Sequence, residues 1–322
     1  MRLRILLQVF KPITFVLAAI CFVILCPLVI LGQVFPGTPI VEMAVSYLPQ
    51  VVLLSGLAAL GLAAHRPRVA ILGGAMTLVA ALPFLTFAKY QAPGQSDCAP
   101  GACLTVITAN VFERSESMSE LGKIAQRENA DLVAINEASH SFGLEDFQIS
   151  FPGFERLSSA AEKTPTQHSS KALTLLSRKP VEHVVQLQPN QAAGRSLFFA
   201  DLAGTWSGTR VVITHPLIPI SQSWTEARNS LLEFAGNTAA DADNFILMGD
   251  FNTTPWSATF RKLPGKRAGD PRFSATWPTF FPLMGIPIDH IMASEDLELV
   301  EFKILDSVGS DHYPLMARFR KK

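Results

Sequence analysis

The chain has no excess of charge of either sign: 27 Lys and Arg stand against 27 Asp and Glu in 322 residues. Composition therefore does not indicate a strongly basic protein that binds nucleic acid by displacing counterions. Internal repeats and low-complexity tracts are absent, which argues against solenoids and disordered interaction tails. Cysteine is scarce, at four residues. No second Cys or His cluster lies near Cys98 and Cys103, so a structural zinc site is not expected.

Charge is also missing from most of the first 90 residues, which hold one acid, Glu42, and six basic residues. Apolar runs fill this region at 13–31, 43–64 and 69–88, the second interrupted by Ser46, Tyr47, Pro49, Gln50 and Ser55. Each is long enough to cross about 30 Å of hydrocarbon as a helix. None contains Asp, Glu, Lys or Arg, which suits an anchor better than a channel or pump. Arg2, Arg4 and Lys11 would serve a cleaved signal peptide, but two further runs follow at once and argue for retention. Arg66 and Arg68 separate the second and third runs, whereas 32–42 has no basic residue. By the positive-inside rule the N-terminus and the 65–68 loop are cytoplasmic, and everything after Tyr90 is outside. The expected organisation is a three-helix anchor in the inner or plasma membrane (1–90), a linker (91–103) and an extracytoplasmic domain (104–322).

Cysteine placement agrees with this topology. Cys98 and Cys103 flank a turn-forming Ala-Pro-Gly-Ala sequence, and in an oxidising exterior a disulfide is the preferred expectation over two free thiols. Cys21 and Cys26 fall inside the first run, as packing or lipid-facing residues. Beyond residue 90 the chain carries 21 basic and 26 acidic residues, a net charge of about −5. That balance lowers the expectation of a nucleic-acid partner without removing it, because a bound metal can neutralise a site.

In the outer part, strand-like runs alternate with helical ones. Strands are expected at 104–108, 132–135, 172–176, 197–202, 210–214, 244–248 and 313–319, and 288–291 opens a further one. Ser117 with Glu120 reads as a capping box for a helix to about 128. A helix over 223–237 carries Trp224, Ala227, Leu231, Phe234 and Ala235 at helical spacing, a face to pack on a sheet. Residues 142–166 read as irregular, with a turn at Pro152-Gly153, and 164–170, with His168, as a polar loop.

Polar residues recur at the strand ends, where α/β proteins place their chemistry. In order they are Asn110, Glu137, His215, the Gly249-Asp250-Phe251-Asn252 run, Asp289-His290 and Asp311-His312. Asp250 and Asn252, two positions apart, share a face if the extended geometry persists. Each alone has an ordinary reading: Asn110 as a turn former, Glu137 as a solvated strand end, His215 before Pro as a loop residue.

As an ordered set, these residues resemble the endonuclease/exonuclease/phosphatase superfamily over about 104–320. The resemblance implies a four-layer α/β sandwich, two mixed sheets flanked by helices, and a Mg²⁺- or Mn²⁺-dependent phosphoric ester hydrolase. It makes Glu137 and Asp311 metal ligands, with Asn110 either coordinating the metal or holding Glu137. It makes Asp250 the residue that orients or deprotonates water, and Asn252 a phosphate donor. His312 is expected over the phosphate with Asp289 orienting it, and His215 approaches from the other side. Family enzymes often carry a polar residue two positions after Asn110; here it is Phe112, which leaves the metal shell lean on that side. Strand alternation turns His290 away from Asp289, so it reads as structural. Arg228 reads as a structural ion-pair residue, and Trp277 of Thr276-Trp277-Pro278 as packing beneath the site.

The three spans with an outward domain also resemble membrane proteins associated with teicoplanin resistance. By that resemblance the substrate is a lipid-linked phosphate or pyrophosphate of envelope metabolism, and the first expectation is therefore a phosphoesterase acting on a phosphorylated lipid or small phosphate ester at the outer membrane face. An extracytoplasmic nuclease and a catalytically inactive anchored binding module are the rivals. Apolar stretches at 217–220 and 280–286 should flank the site, either bedding a lipid tail and the interface or packing between loops.

Overall fold

The computed structural model describes residues 14–94, 98–99, 101–138, 143–158 and 173–322. Arg2, Arg4, Lys11, His168 and the 164–170 loop lie outside the described residues.

Four apolar helices come first. They are α1 (Thr14–Val34), α2 (Pro39–Ser46), α3 (Leu48–Ala63) and α4 (Pro67–Leu85). Among the described residues, only α1 and α4 are unbroken helices long and apolar enough to cross a membrane. The expected second span is instead bent by 72° between α2 and α3. Pro49 accounts for the break: it cannot donate to the carbonyl four residues back, and its ring collides with that turn, so a new helix starts at Leu48. The correction is from three continuous spans to two, or three if the bent pair counts as one. Val23, Leu60, Ile71 and Leu72 are more than 70% exposed, which in a soluble protein would leave a large apolar surface in water.

The remaining chain forms two sheets. Its elements are β1 (Tyr90–Gln91), β2 (Cys103–Asn110), α5 (Ser115–Arg127), β3 (Leu132–Asn136), α6 (Leu144–Ser150), β4 (Glu155–Ser158), β5 (Leu173–Ser177), β6 (Val181–Leu187), β7 (Leu197–Leu202), β8 (Thr209–Thr214), α7 (Gln222–Ala240), β9 (Asn244–Asp250), α8 (Ala258–Lys262), β10 (Lys266–Ala268), β11 (Asp289–Ala293), β12 (Leu297–Ile304) and β13 (Leu315–Lys321). One sheet runs β1-β10-β11-β9-β8-β7-β6 and the other β12-β13-β2-β3-β5-β4. Both are mixed, with β2 and β3, β8 and β9, and β1 and β10 parallel. The inner faces share one core, including Val106, Ala134, Leu175, Phe198, Val211, Ile246, Ile291 and Ala317. Met118, Leu121 and Ala125 of α5 cover the second sheet. Leu231, Leu232 and Ala235 of α7, with Phe260 of α8, cover the first. Helices on both outer faces give the expected four layers.

Local departures have local causes. α5 begins at Ser115 after Arg114, so Ser117 is inside the helix and buried and does not cap it. α7 begins after Ser221, whose hydroxyl accepts from the Trp224 amide, as an N-cap does. Ala227, Leu231 and Ala235 face the sheet as expected, whereas Trp224 and Phe234 remain partly exposed. The segment expected to be a linker is tied down at both ends. Tyr90–Gln91 adds an edge strand beside β10, and a Cys98–Cys103 disulfide, the preferred expectation, closes on the first residue of β2 with the two Cα atoms 5.9 Å apart.

The two regions interlock. Trp256, just before α8, packs among Cys26, Val29, Val45, Leu48 and Ala80 of the helices. Its ring lies 5.1 Å from that of Phe84. Glu42 of α2 and Arg228 of α7, both buried, form an ion pair at 2.9 Å. Gln50 of α3 donates to the Gly285 carbonyl at 3.1 Å, and Arg261 to Gln33 at 2.5 Å.

Candidate active site

Pairing register brings the polar strand ends to one rim. Asp289 opens β11 directly opposite Asp250, which closes β9. Asn110 and Asn136 close β2 and β3 side by side, and His215 follows β8, the parallel neighbour of β9. Asp311 and His312 precede β13, which runs antiparallel to β2.

The two halves of the rim meet across the core. Asn136 accepts from the Asp250 amide at 3.0 Å and donates to the Thr214 carbonyl at 3.4 Å, tying β3 of one sheet to β9 and β8 of the other. Gly249 makes that approach feasible. Its φ is +140°, and a Cβ there would sit 2.1 Å from the Thr214 carbonyl oxygen, so no other residue fits.

Asp250 is the hub. One carboxylate oxygen accepts from the Asn252 amide at 2.9 Å; the other accepts from Asn110 at 3.2 Å and lies 3.5 Å from His215 Nε2 and 3.8 Å from His312 Nε2. Burial would raise its pKa, but the His215 hydrogen bond and the His312 charge outweigh burial and hold it below the usual carboxylate range. His312 Nδ1 contacts Asp289 at 2.8 Å. Burial pulls the His312 ring toward neutrality, yet the Asp289 and Asp250 carboxylates prevail and push its pKa up to about 10. Burial raises the Asp289 pKa as well, so Asp289 and His312 titrate as one buried pair, in which the carboxylate charges of Asp289 and Asp250 favour a protonated ring.

Glu137 lies beside this hub. It accepts from the Asn110 amide at 3.1 Å and is 3.5 Å from His215 Nε2. The Asn110 amide NH₂ therefore faces both carboxylates, while its oxygen accepts from the Phe112 amide. Of the two roles expected for Asn110, the hydrogen-bonding one matches this assignment of the amide. Asp311 accepts from the Trp277 indole at 3.0 Å, so Trp277 stands at the site wall and not only beneath it. Asn252 donates to the Pro216 carbonyl at 3.0 Å. Phe112, Glu137 and Asn252 all have left-handed φ, between 49° and 54°. Such backbone is disfavoured for Phe112 and Glu137, though readily adopted by Asn, and strained positions of this kind often accompany functional sites.

Of the eight expected residues, Glu137, His215, Asp250, Asn252, Asp311 and His312 line one cavity of about 420 Å³. Asn110 and Asp289 lie behind, bonded to lining residues. His290 points away as expected, between Thr253 and Arg267. Arg228 is structural, but its partner in the helices was not expected, and it also donates to the Asn252 carbonyl at 3.0 Å. Sequence reasoning missed Arg195, which lines the cavity with Nη1 3.5 Å from His215 Nδ1. It missed Met43, Ser46 and Tyr47 at the α2–α3 elbow. A lone Arg after Ala193-Gly194 carries no pattern, and a wall contributed from far upstream, before Tyr90, carries none either. Asn136, adjacent to Glu137 at a strand end, was within reach.

The endonuclease/exonuclease/phosphatase family model matches residues 107–312, which spans this rim from β2 to His312. The chain belongs to that family. It is accordingly a phosphoric ester hydrolase, of a family that generally depends on divalent metal. Comparison with curated proteins finds no match. Among solved structures, humanized D. rerio TDP2 superposes with a TM-score of 0.57 at 13% identity, covering 69% of this chain and 100% of that one. An endonuclease/exonuclease/phosphatase from Bacteroides vulgatus gives 0.56 at 14%, covering 68% and 99%. D. rerio TDP2 complexed with a single-strand DNA product gives 0.55 at 15%, covering 68% and 100%. At these identities the likeness is one of fold.

The donor set fits a hard divalent cation. Glu137 and Asp311 bring carboxylate oxygens to the cavity, and Asn110 and Trp277 hold them by hydrogen bonds. Among the described residues, Asp250, Asp289 and His312 also place ligand-type atoms within 4.8 Å of one another. Within that trio Asp289 is already bonded to His312 Nδ1 at 2.8 Å.

Proposed function

We propose that the chain is a membrane-anchored, Mg²⁺- or Mn²⁺-dependent phosphoesterase acting on a phosphorylated lipid or small phosphate ester at the outer face of the membrane. The observation that carries this reading is the composition of the catalytic cavity. Its lining is mostly apolar, and one wall comes from the α2–α3 elbow of the anchor. The resemblance to teicoplanin-resistance membrane proteins points the same way.

The anchor is residues 1–90, followed by 91–103 and the catalytic domain 104–322. The end of α1, the start of α3 and the end of α4 all meet the catalytic domain, through Gln33, Gln50 and Phe84. Helices running up, down and up give this arrangement, and with Arg66 and Arg68 at the opposite end it supports an extracytoplasmic domain.

Within the site, Glu137 and Asp311 are the metal ligands, with Asn110 setting the direction of Glu137. When bound, the cation withdraws charge from the phosphoryl oxygens. Asp250, kept ionised by its histidine neighbours, orients the attacking water. Its depressed pKa favours orientation over proton storage. Asn252 and His215 donate to the phosphoryl oxygens, and His312, held cationic by Asp289, stabilises the charge that develops on them.

The test is the purified full-length protein in nanodiscs, assayed with Mg²⁺, Mn²⁺ or chelator against lipid phosphates, soluble phosphodiesters and DNA. Metal-dependent turnover of lipid phosphates above the others supports the reading. Preferential cleavage of DNA would replace it with the nuclease, and inertness toward all three with the binding module.

A further inference from the structure

We infer that the α2–α3 elbow is one wall of a subsite for the hydrocarbon chain of the substrate, so that the anchor recognises the ester as well as holding the enzyme at the membrane. The inference rests on the lipid-directed reading above and goes further by giving the chain a place and naming the residues that contact it.

The cavity lining combines two chemistries: Glu137, His215, Asp250 and His312 are ionisable, whereas Met43, Tyr47, Leu217, Ile218, Ile220 and Trp224 are apolar or aromatic. Met43, Ile218, Ile220 and Trp224 are 48%, 43%, 58% and 39% exposed. Apolar side chains left half open around one mouth mark a surface that waits for an apolar ligand. Trp224 is informative, because helical spacing gives it to the face packed on the sheet and the structure gives it to the cavity. A thioether, aliphatic branches and indole and phenol rings suit a methylene chain.

The wall is fixed relative to the reacting groups. Glu42, buried on α2, pairs with Arg228, which in turn holds the Asn252 carbonyl. Gln50 is bonded to Gly285, and Trp256 is locked among α1, α2, α3 and α4. A chain lying on this elbow would therefore bring its phosphate to a set position, which is how remote binding energy serves the reacting centre.

Depth supplies the occupant. The 16 residues of α3 span about 24 Å, less than the roughly 30 Å of hydrocarbon. With the 65–68 loop at the opposite surface, the elbow sits near the acyl–headgroup boundary, where a lipid's first methylenes lie beside its phosphate. Phe280 and Leu283 are 78% and 77% exposed, do not line the cavity, and lie close in sequence to Gly285, to which the elbow is bonded. Exposed side chains of this kind suit contact with a membrane interface.

Two homologous series, alkyl phosphates and alkyl p-nitrophenyl phosphates, would be assayed as monomers with the full-length protein in nanodiscs. KM should fall about fourfold per methylene over the first several carbons, the worth of burying each, and then level off where the subsite ends. Met43→Asp and Ile218→Asp, both in the cavity lining, should each shrink the KM ratio between shortest and longest esters at least tenfold, whatever their absolute rates. In chelator, an alkyl phosphate with a terminal diazirine should crosslink to the 39–50 peptide. A KM independent of chain length, an unchanged ratio in both variants, or crosslinks confined elsewhere would overturn the subsite while leaving the phosphoesterase reading intact. Cleavage of DNA with both ester series untouched would overturn the two together.

Discussion

Asp250 and Glu137 share Asn110 as a hydrogen-bond partner and His215 as a neighbour, yet their proposed tasks differ and so should their variants. Asp250→Asn should lose nearly all turnover, about 10⁴-fold, with metal affinity largely kept. Glu137→Gln should weaken Mg²⁺ or Mn²⁺ binding in calorimetry, and the reverse outcome would exchange the two roles. Asp289 and His312 should behave as one unit. His312→Ala should cost about 10²- to 10⁴-fold, Asp289→Asn much of the same, and the double variant little more than His312→Ala alone. The sign of the pH effect follows from the 2.8 Å pair. The imidazolium persists to about pH 10, so activity falls only above that range. Without the Asp289 charge the ring loses its proton earlier and the alkaline limb moves to lower pH. Additive losses or an unmoved limb would show that the pair does not work as a unit.

At the scale of elements, the link between α2 and α7 carries a separate prediction. Glu42 and Arg228 are almost fully buried, and their 2.9 Å contact is ionic without being aligned as a hydrogen bond. Glu42→Ala leaves a buried guanidinium without its counter-charge and should destabilise the fold by about 3 kcal/mol or more. The loss, read as a lowered midpoint of thermal unfolding, should be largely recovered in Glu42→Met with Arg228→Met. Turnover should stay low in that double variant, because Asn252 has lost its carbonyl donor. Glu42 also shows where sequence reading stops. The rim residues were legible because each lies at one end or the other of an apolar strand and their order is distinctive. The strands at 197–202, 210–214 and 244–248 were legible because their residues are almost all buried on both faces and read as short apolar runs. β6 and β12 were not, since their edge positions leave many residues exposed and mix charge into the pattern. A lone acid between apolar runs gives no hint that it will meet an arginine 186 positions later in the chain. The bend at Pro49 was visible in composition, but a hydrophobic run scored by length alone conceals it.

For the molecule as a whole, the account requires the catalytic rim to open on the outer face of a membrane. A reporter active only in the cytoplasm, fused after Lys322, should be silent; a strong signal would reverse the topology and remove the oxidising setting that the Cys98–Cys103 bridge implies. The central claim, a metal-dependent esterase that works on lipid at that face, is tested most directly in sealed vesicles. These would hold the full-length protein and a long-chain phosphate ester in both leaflets, with Mg²⁺ supplied outside only. The account predicts that wild-type protein consumes the outer-leaflet ester and stops there, and that Asp250→Asn consumes none. Vesicles whose ester stays intact while the same wild-type protein cleaves a soluble diester or DNA would contradict it.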